Sequence, residues 1–396
     1  MDTAIQFIFI VSLLLSISIF AGIVSTRIGA PLLLVFLMVG MLSGENGPGG
    51  IVFNDMETAY VIGSLSLAVI LFDGGLRTPM GLFRKSLWPA VSLSTVGVLL
   101  TAAVTSVFAV YLFGVDWMMG LLIGAILSST DAAAVFLLLY QRGVKLKERV
   151  RATLEVESGI NDPMAFFLTI SLVEALLGYR GGGGGWHLVP VFFWHMGIGV
   201  VTGYAGGKVL GWLANRLPMT TGLYPILVLS GSLFIFSGTA LIGGSGFLAV
   251  YLAGLVVGNT ELRNHEIIIR FYDGIAWLAQ MGMFIMIGLL VTPLQLWAQI
   301  VPACLMALAL IFLARPIAVW LCLVPFNYSW QEKTFVSWVG LRGAVPIFLA
   351  IIPTLAGLET DRTIFNIAFV VVVISLVLQG WTVNFAARAL KLTDIR

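Results

Sequence analysis

The run Glu157-Ser158-Gly159-Ile160-Asn161-Asp162-Pro163 sets two carboxylates, a hydroxyl and a carboxamide into a stretch that otherwise reads as lipid-embedded helix. A second polar insertion, Ser128-Ser129-Thr130-Asp131, interrupts the apolar segment before it. A carboxylate at mid-membrane costs at least about 2.5 to 3.5 kcal/mol on insertion scales, so two such interruptions in succession point to a purpose. A monovalent cation or a proton is the natural cargo, because either one cancels a charge that low dielectric penalises. Competition between the two for Asp162, with access from alternating sides, suffices for exchange without ATP. Helical spacing puts Asn161 about 40°, Ser158 about 100° and Asp162 about 140° round the axis from Glu157, so the four share one arc. Asp162 is then able to face a water-filled cavity while Glu157 and Asn161 point toward a neighbouring helix. Gly159 admits another backbone, and Pro163 disfavours helical geometry at Asp162 and frees carbonyl groups near the carboxylate.

Small hydroxyl residues at mid-depth in 128–131 suit a helix break, where carbonyls line a cavity and Asp131 faces the positive end of the next half-helix. Thr130 is placed to offer its carbonyl or hydroxyl to an ion. Asp131 either joins the ion site or caps the half-helix, and the two roles are compatible. Gly340-Leu341-Arg342-Gly343-Ala344-Val345-Pro346 has the signature of a second interruption. Arg342 does not deprotonate in any useful range and so demands a carboxylate. Glu157 is the first expected partner, and Glu155, nearer the membrane edge with Arg151, is the alternative. Arg315, just before Pro316, is expected to snorkel or to contact a cardiolipin head group. Asp73 is accounted for by Arg77 one turn on, and Asp273 by Arg270. His187 and His265 are rim residues, whereas His195 is expected to make an interhelical hydrogen bond.

The elements that must hold these groups are membrane helices. Of 396 residues, 59% are hydrophobic and 10% charged, where a soluble domain carries roughly a quarter charged; the mean hydropathy is +1.04. Thirteen apolar segments follow, at 5–24, 31–42, 60–76, 87–113, 117–139, 152–177, 188–213, 223–241, 247–257, 271–291, 297–323, 335–355 and 364–387. The first lacks a basic leader and a small-residue cleavage site, so it reads as a span rather than a signal peptide. The second and ninth are short, and extend into residues such as Ser43 and Ser245 or thin the bilayer. Cys304 and Cys322 share one apolar stretch and read as small hydrophobes. A net charge of +2 spread over the loops leaves no basic patch for nucleic acid. No haem or phosphate-loop signature appears, so no cofactor is expected beyond transported Na+, K+ or Li+ and H+. No nucleophile and base stand together as in an enzyme.

An odd number of spans puts the termini on opposite sides. One face then receives Arg27, Arg77, Arg84, Lys85, Arg142, Lys145, Lys147, Arg149, Arg151, Lys208, Arg216, Arg263, Arg270, Lys333, Arg388, Lys391 and Arg396, and the other only Arg180 and Arg362. The bias puts the C-terminus in the cytoplasm and the N-terminus outside a bacterial inner membrane. The glycine run 181–185 reads as an external joint, and with only a few residues after Arg388 no cytosolic regulatory domain is expected. Interruptions at the fifth and twelfth spans hold the same place in two oppositely oriented sets of six. The expected architecture is therefore all-α and polytopic, a single exchanger domain over 1–396 with inverted repeats at 4–178 and 222–390 and crossed, discontinuous helices five and twelve. A transport bundle (87–178 and 297–390) would move against a scaffold (4–86 and 188–291) through which two copies pair, with anionic lipid at their interface.

These motifs and the full length of the chain resemble the NhaP-type, or CPA1, branch of bacterial and archaeal monovalent cation:proton antiporters, marked by an Asn-Asp pair, here Asn161-Asp162. Thr130-Asp131 matches the family's motif in the fifth helix and Arg342 its arginine in the twelfth. The wording of 71–76, 130–136 and 157–159 is most similar to the potassium/proton, cell-volume-regulating subgroup, whose members usually continue into a cytosolic domain. The resemblance implies a thirteen-helix homodimer and electroneutral one-for-one exchange. It also implies cation binding at Asp162 with Glu157, Ser158 and the Thr130 backbone around it, and Asn161 holding Asp131 or Glu157 in place. A cation channel and an organic-ion symporter are the rival readings.

Overall fold

The computed structural model describes residues 2–28, 31–45, 47–141, 143–178, 188–297, 299–359 and 362–393. The glycine run 181–185 with Arg180 and His187, and also Gly29, Arg142, Asp361 and Arg396, lie outside the described residues. Among the described residues the helices are α1 (Asp2–Ile28), α2 (Leu32–Ser43), α3 (Met56–Arg77), α4 (Met80–Phe113), α5a (Trp117–Ile126), α5b (Ala132–Gln141), α6 (Glu148–Leu176) and α7 (Leu188–Arg216). The second part of the chain adds α8 (Leu223–Leu241), α9 (Gly246–Gly258), α10 (His265–Leu290), α11 (Ile300–Cys322), α12a (Trp330–Trp338), α12b (Ala344–Leu355) and α13 (Thr363–Ala389). Nine of these described helices are long and apolar enough to cross a membrane. The rest are the short α2 and α9 and the two interrupted helices five and twelve. Each of the thirteen expected spans thus has its helix, and no strand beyond two isolated bridges occurs among the described residues.

Local chemistry sets several of the boundaries. Asp55 caps α3 by accepting from the Thr58 amide at 3.0 Å, and the Thr58 hydroxyl and amide hold its carboxyl below the usual carboxylate range. Asp116 caps α5a in the same way through Met119 N–H at 2.9 Å. Ser245 caps α9 through Leu248 N–H at 3.3 Å, and Ser329 and Glu332 close a capping box on α12a. In α11 a wide π turn at Leu310–Ala314 precedes Arg315-Pro316, and α4 carries another at Leu93–Gly97. Wide turns rotate the following residues relative to a regular helix, and here one leads directly into Arg315.

The short helix α9 is buried along most of its length, and needs little lipid-facing surface of its own. It crosses α3 at backbone contact: a Cβ on Gly254 would run into the Phe72 carbonyl, and one on Gly75 into the Tyr251 carbonyl. The short α2 meets α10 equally closely through Gly40 and Gly288. Small residues at such crossings gain dispersion where lipid provides no hydrophobic drive.

The two interruptions meet. Residues 127–131 and 339–343 are non-helical, and the Asp131 amide donates to the Leu341 carbonyl at 2.7 Å. Each break therefore satisfies part of the other's exposed backbone, as a membrane interior requires. One expectation is corrected: α6 runs without a break through Asn161, Asp162 and Pro163, because the tight packing around it outweighs proline's local preference. Only the donor that Pro163 lacks is lost, at the Gly159 carbonyl.

Candidate ion-exchange site

The continuous α6 presents two polar faces at one depth, and they do different things. On the first, Asp162 and Ser158 line a cavity of about 520 Å³ together with Asp131, Glu155, Asp73 and Tyr251. The cavity also reaches Arg77 and Arg151, the basic residues at the ends of α3 and α6. Asp162 is 6% exposed, and its Oδ1 has no protein hydrogen-bond partner. Among the described residues no salt bridge neutralises this carboxylate, which borders the cavity.

The helix-five break is pinned beside it. Ser158 Oγ donates to the Thr130 carbonyl at 3.1 Å and accepts from Ala132 N–H at 3.2 Å. Asp131 Oδ1 accepts from Ala134 N–H at 3.0 Å, so Asp131 caps α5b while also lining the cavity. Asn161 Nδ2 donates to the Thr130 hydroxyl and, at 3.4 Å, to its carbonyl. The expectation that Asn161 holds Asp131 or Glu157 is thereby corrected: a carboxamide N–H needs an acceptor, and the Thr130 oxygens at the broken backbone are nearer. Gly343 lies against Asp131, where a Cβ would overlap the carboxylate. In Gly343→Ala, Asp131 is expected to leave its cap. Transport in vesicles should fall about tenfold or more for protein of near-normal yield, as one buried hydrogen bond and its geometry are lost.

The second face of α6 carries Glu157, 1% exposed, and its partner is not the expected one. Arg315 on α11 meets Glu157 Oε1 at 2.6 Å, and both side chains are buried. The readings of Arg315 as snorkelling or lipid-bound, and of Glu157 or Glu155 as the partner of Arg342, are both corrected. Arg342, 1% exposed, donates through Nη1 to the Ser128 and Ser129 carbonyls. The physical reason is that α5a ends at Ile126 and the chain beyond it is non-helical, so the Ser128 and Ser129 carbonyls have no helical N–H to accept from and lie past the negative end of the α5a dipole, ready acceptors for a guanidinium. Gly340 leaves room for Arg315, whose Nε would lie 2.8 Å from a Cβ there.

Glu155 pairs with Arg151 at 2.8 Å, as a rim pair. Arg77 bridges Asp73 and Asp273, each at 2.9 Å. Asp273 thus corrects its expected pairing with Arg270, which meets Glu266 at 3.7 Å instead. His195 Nδ1 lies 3.1 Å from the Gly243 carbonyl, beyond the end of α8. Tyr251 was missed by sequence reasoning: its ring fills the space in front of Gly159, so that glycine admits an aromatic ring and not a backbone. Among the described residues no three His, Cys, Asp or Glu side chains form a metal cluster.

The crossing therefore holds three carboxylates, Asp131, Glu157 and Asp162, against two guanidinium groups, Arg315 and Arg342. With every carboxylate ionised, one formal negative charge is left over, a balance suited to a membrane carrier for small cations. The family model described as "Sodium/hydrogen exchanger, transmembrane" matches residues 13–389, and the chain belongs to that family. It is 49% identical over 385 residues to the K(+)/H(+) antiporter NhaP of Alkalimonas amylolytica, covering 97% of this chain and 67% of the relative. With the K(+)/H(+) antiporter NhaP2 of Shewanella oneidensis it shares 48% over 391 residues, 98% of this chain and 68% of the relative. The Na(+)/H(+) antiporter ApNhaP of Aphanothece halophytica is 28% identical over 414 residues, covering 99% and 75%. The sodium proton antiporter MjNhaP1 from Methanocaldococcus jannaschii superposes with a TM-score of 0.84 over 98% of this chain and 99% of its own, at 23% identity.

Proposed function

We propose that the protein exchanges one monovalent cation for one proton across the cytoplasmic membrane, electroneutrally, by alternating access around Asp162. The uncompensated negative charge of the crossing carries this reading. One proton or one alkali cation restores neutrality, and both together would leave a buried positive charge of the kind low dielectric penalises. Each half-cycle then moves a single positive charge on a carrier of fixed charge, so the sum is one for one. Ser158, Thr130 and Asp131 supply the oxygens around the cation, whereas Glu157, expected in that set, is paired with Arg315, is absent from the cavity lining and keeps α6 in register from behind. The relatives named for K(+)/H(+) exchange are 48–49% identical, against 28% for the Na(+)/H(+) relative, which favours potassium as the cargo.

The basic residues at the cavity mouth, Arg77 and Arg151, belong to the Lys/Arg-rich face, so the cavity opens to the cytoplasm if that face is inside. The N-terminus is then outside and the C-terminus cytoplasmic. The crossed helices move as a bundle (87–178 and 297–390) against a scaffold (4–86 and 188–291), the two repeats being 4–178 and 222–390. Two copies pair through the scaffold. Lys208 and Arg216, set over the rings of Tyr204 and Trp212 at one end of α7, suit an anionic lipid at that interface.

The test is purified protein in liposomes with K+, Na+, Li+ or Rb+ on one side and a pH-sensitive dye inside. A K+ gradient is expected to drive proton flux of the opposite direction that does not change when the membrane potential is clamped at different values. Proton-independent cation flux that follows voltage would instead mark a channel.

A further inference from the structure

Helix α13 is apolar over most of its length, yet Ser375 and Gln379 are 0% and 1% exposed and face the helix-twelve break. The Arg342 amide donates to Ser375 Oγ at 2.9 Å. Ser375 in turn donates to Gln379 Oε1 at 2.6 Å, and Gln379 Nε2 donates to the Trp338 carbonyl at 2.6 Å. One turn on, Thr382 Oγ1 accepts from Trp338 Nε1 at 3.0 Å. The two helical turns of α13 thus grip the break on both sides: Trp338 is the last residue of α12a, and Arg342 lies two residues before α12b. Polar groups placed in an apolar helix at the cost of their desolvation need a partner they serve. Here that partner is backbone that no helix satisfies.

We propose that Ser375 and Gln379 are positioning residues for exchange: they fix the helix-twelve break from α13 and so set the geometry of the cation site at the helix-five break. The connection is short. Arg342, held at its amide by Ser375, holds the Ser128 and Ser129 carbonyls through its guanidinium, and Thr130 and Asp131 follow directly in the chain. Leu341, between the gripped residues, accepts from the Asp131 amide. A shift of the break by a few tenths of an ångström therefore reaches the oxygens that surround the cation, and alkali ions are told apart by distances of that size. Neither residue lines the cavity, so their effect acts through the break they hold, at Trp338 and Arg342.

The inference rests on the exchange reading above and is tested in the same liposomes. Gln379→Met keeps the volume and loses both hydrogen bonds, and Ser375→Ala removes the link to Arg342. Each is expected to raise the apparent KM for the transported cation by up to about tenfold, the size of one lost buried hydrogen bond. The ratio of K+ to Na+ turnover should change, and the maximal rate should stay within about twofold, as expected when ground-state binding is what is lost. Gln379→Glu is the rescue variant: protonated, it accepts from Ser375 and donates to Trp338, so its KM should approach that of the unmodified protein at low pH and rise as the carboxyl ionises. If the unmodified protein shows no cation-coupled proton flux, the exchange reading fails. If it exchanges and both loss variants keep its KM and ion ratio, the positioning role alone is overturned. Where Gln379→Met does not fold, Ser375→Ala carries the same decision.

Discussion

Cation-coupled proton flux is expected to fall to background in Asp162→Asn, a loss of at least about a hundredfold. A neutral carboxamide neither releases a proton nor neutralises a desolvated cation, and holding an unpaired buried charge costs several kcal/mol, where each 1.4 kcal/mol is about a factor of ten in binding. The protein itself should gain from the change. Asp162 Oδ1 makes no hydrogen bond to the protein, and removing a carboxylate from mid-membrane relieves an insertion cost of about 2.5 to 3.5 kcal/mol. Yield and thermal stability in detergent are therefore expected to equal or exceed those of the unmodified protein. Measuring both in one preparation separates a transport defect from a folding defect. Coupled exchange surviving in Asp162→Asn would remove Asp162 from the centre of the mechanism.

Arg315→Gln is expected to have the opposite profile. It strands Glu157, which is 1% exposed and paired to Arg315 at 2.6 Å, and breaking a buried pair from one side costs about 3 to 5 kcal/mol. Against a total stability of about 5 to 15 kcal/mol, that is enough to empty much of the folded population. Adding Glu157→Gln should return most of the lost stability, since two neutral amides of similar shape replace two charges. Arg342→Gln should cost less, about 1 to 3 kcal/mol for hydrogen bonds to carbonyls, and Glu157→Gln should not rescue it. Thermal denaturation of the singles and doubles in detergent reads this directly. Additive losses at 157 and 315, or rescue of Arg342→Gln by Glu157→Gln, would return Glu157 to Arg342.

Local chemistry identifies these charges but not their partners. Both arginines and all three carboxylates of the crossing were visible as charges that lipid does not tolerate, and so were the two helix breaks. The partners were not, because a guanidinium accepts two kinds of compensation. Taken by itself, Arg342 calls for a carboxylate, because charge seeks charge. At a broken helix the orphan carbonyls of Ser128 and Ser129 compete for it, and their position depends on how helices five and twelve cross. Asn161, which the resemblance assigns to Asp131 or Glu157, bonds instead to Thr130 oxygens that only the break exposes. Gly159 looked like a point of backbone contact and receives the Tyr251 ring instead, which depends on where α9 packs. Pro163 looked like a helix breaker, and the packing of α6 overrode it.

Residue types and their spacing alone determined that the protein spans a membrane with thirteen helices, that the fifth and twelfth are interrupted, and that Asp162 is the carboxylate to watch. These follow from terms each segment meets by itself: hydropathy against bilayer thickness, and the cost of a charge or an unpaired carbonyl in lipid. Tertiary structure alone decided that Glu157 belongs to Arg315, that Arg342 belongs to the Ser128 and Ser129 carbonyls of the break, and that Asp162 borders a cavity with no salt bridge among the described residues. Pairing at mid-membrane is a choice among groups on different helices, and only the packing of those helices brings one candidate within bonding distance and keeps the others away.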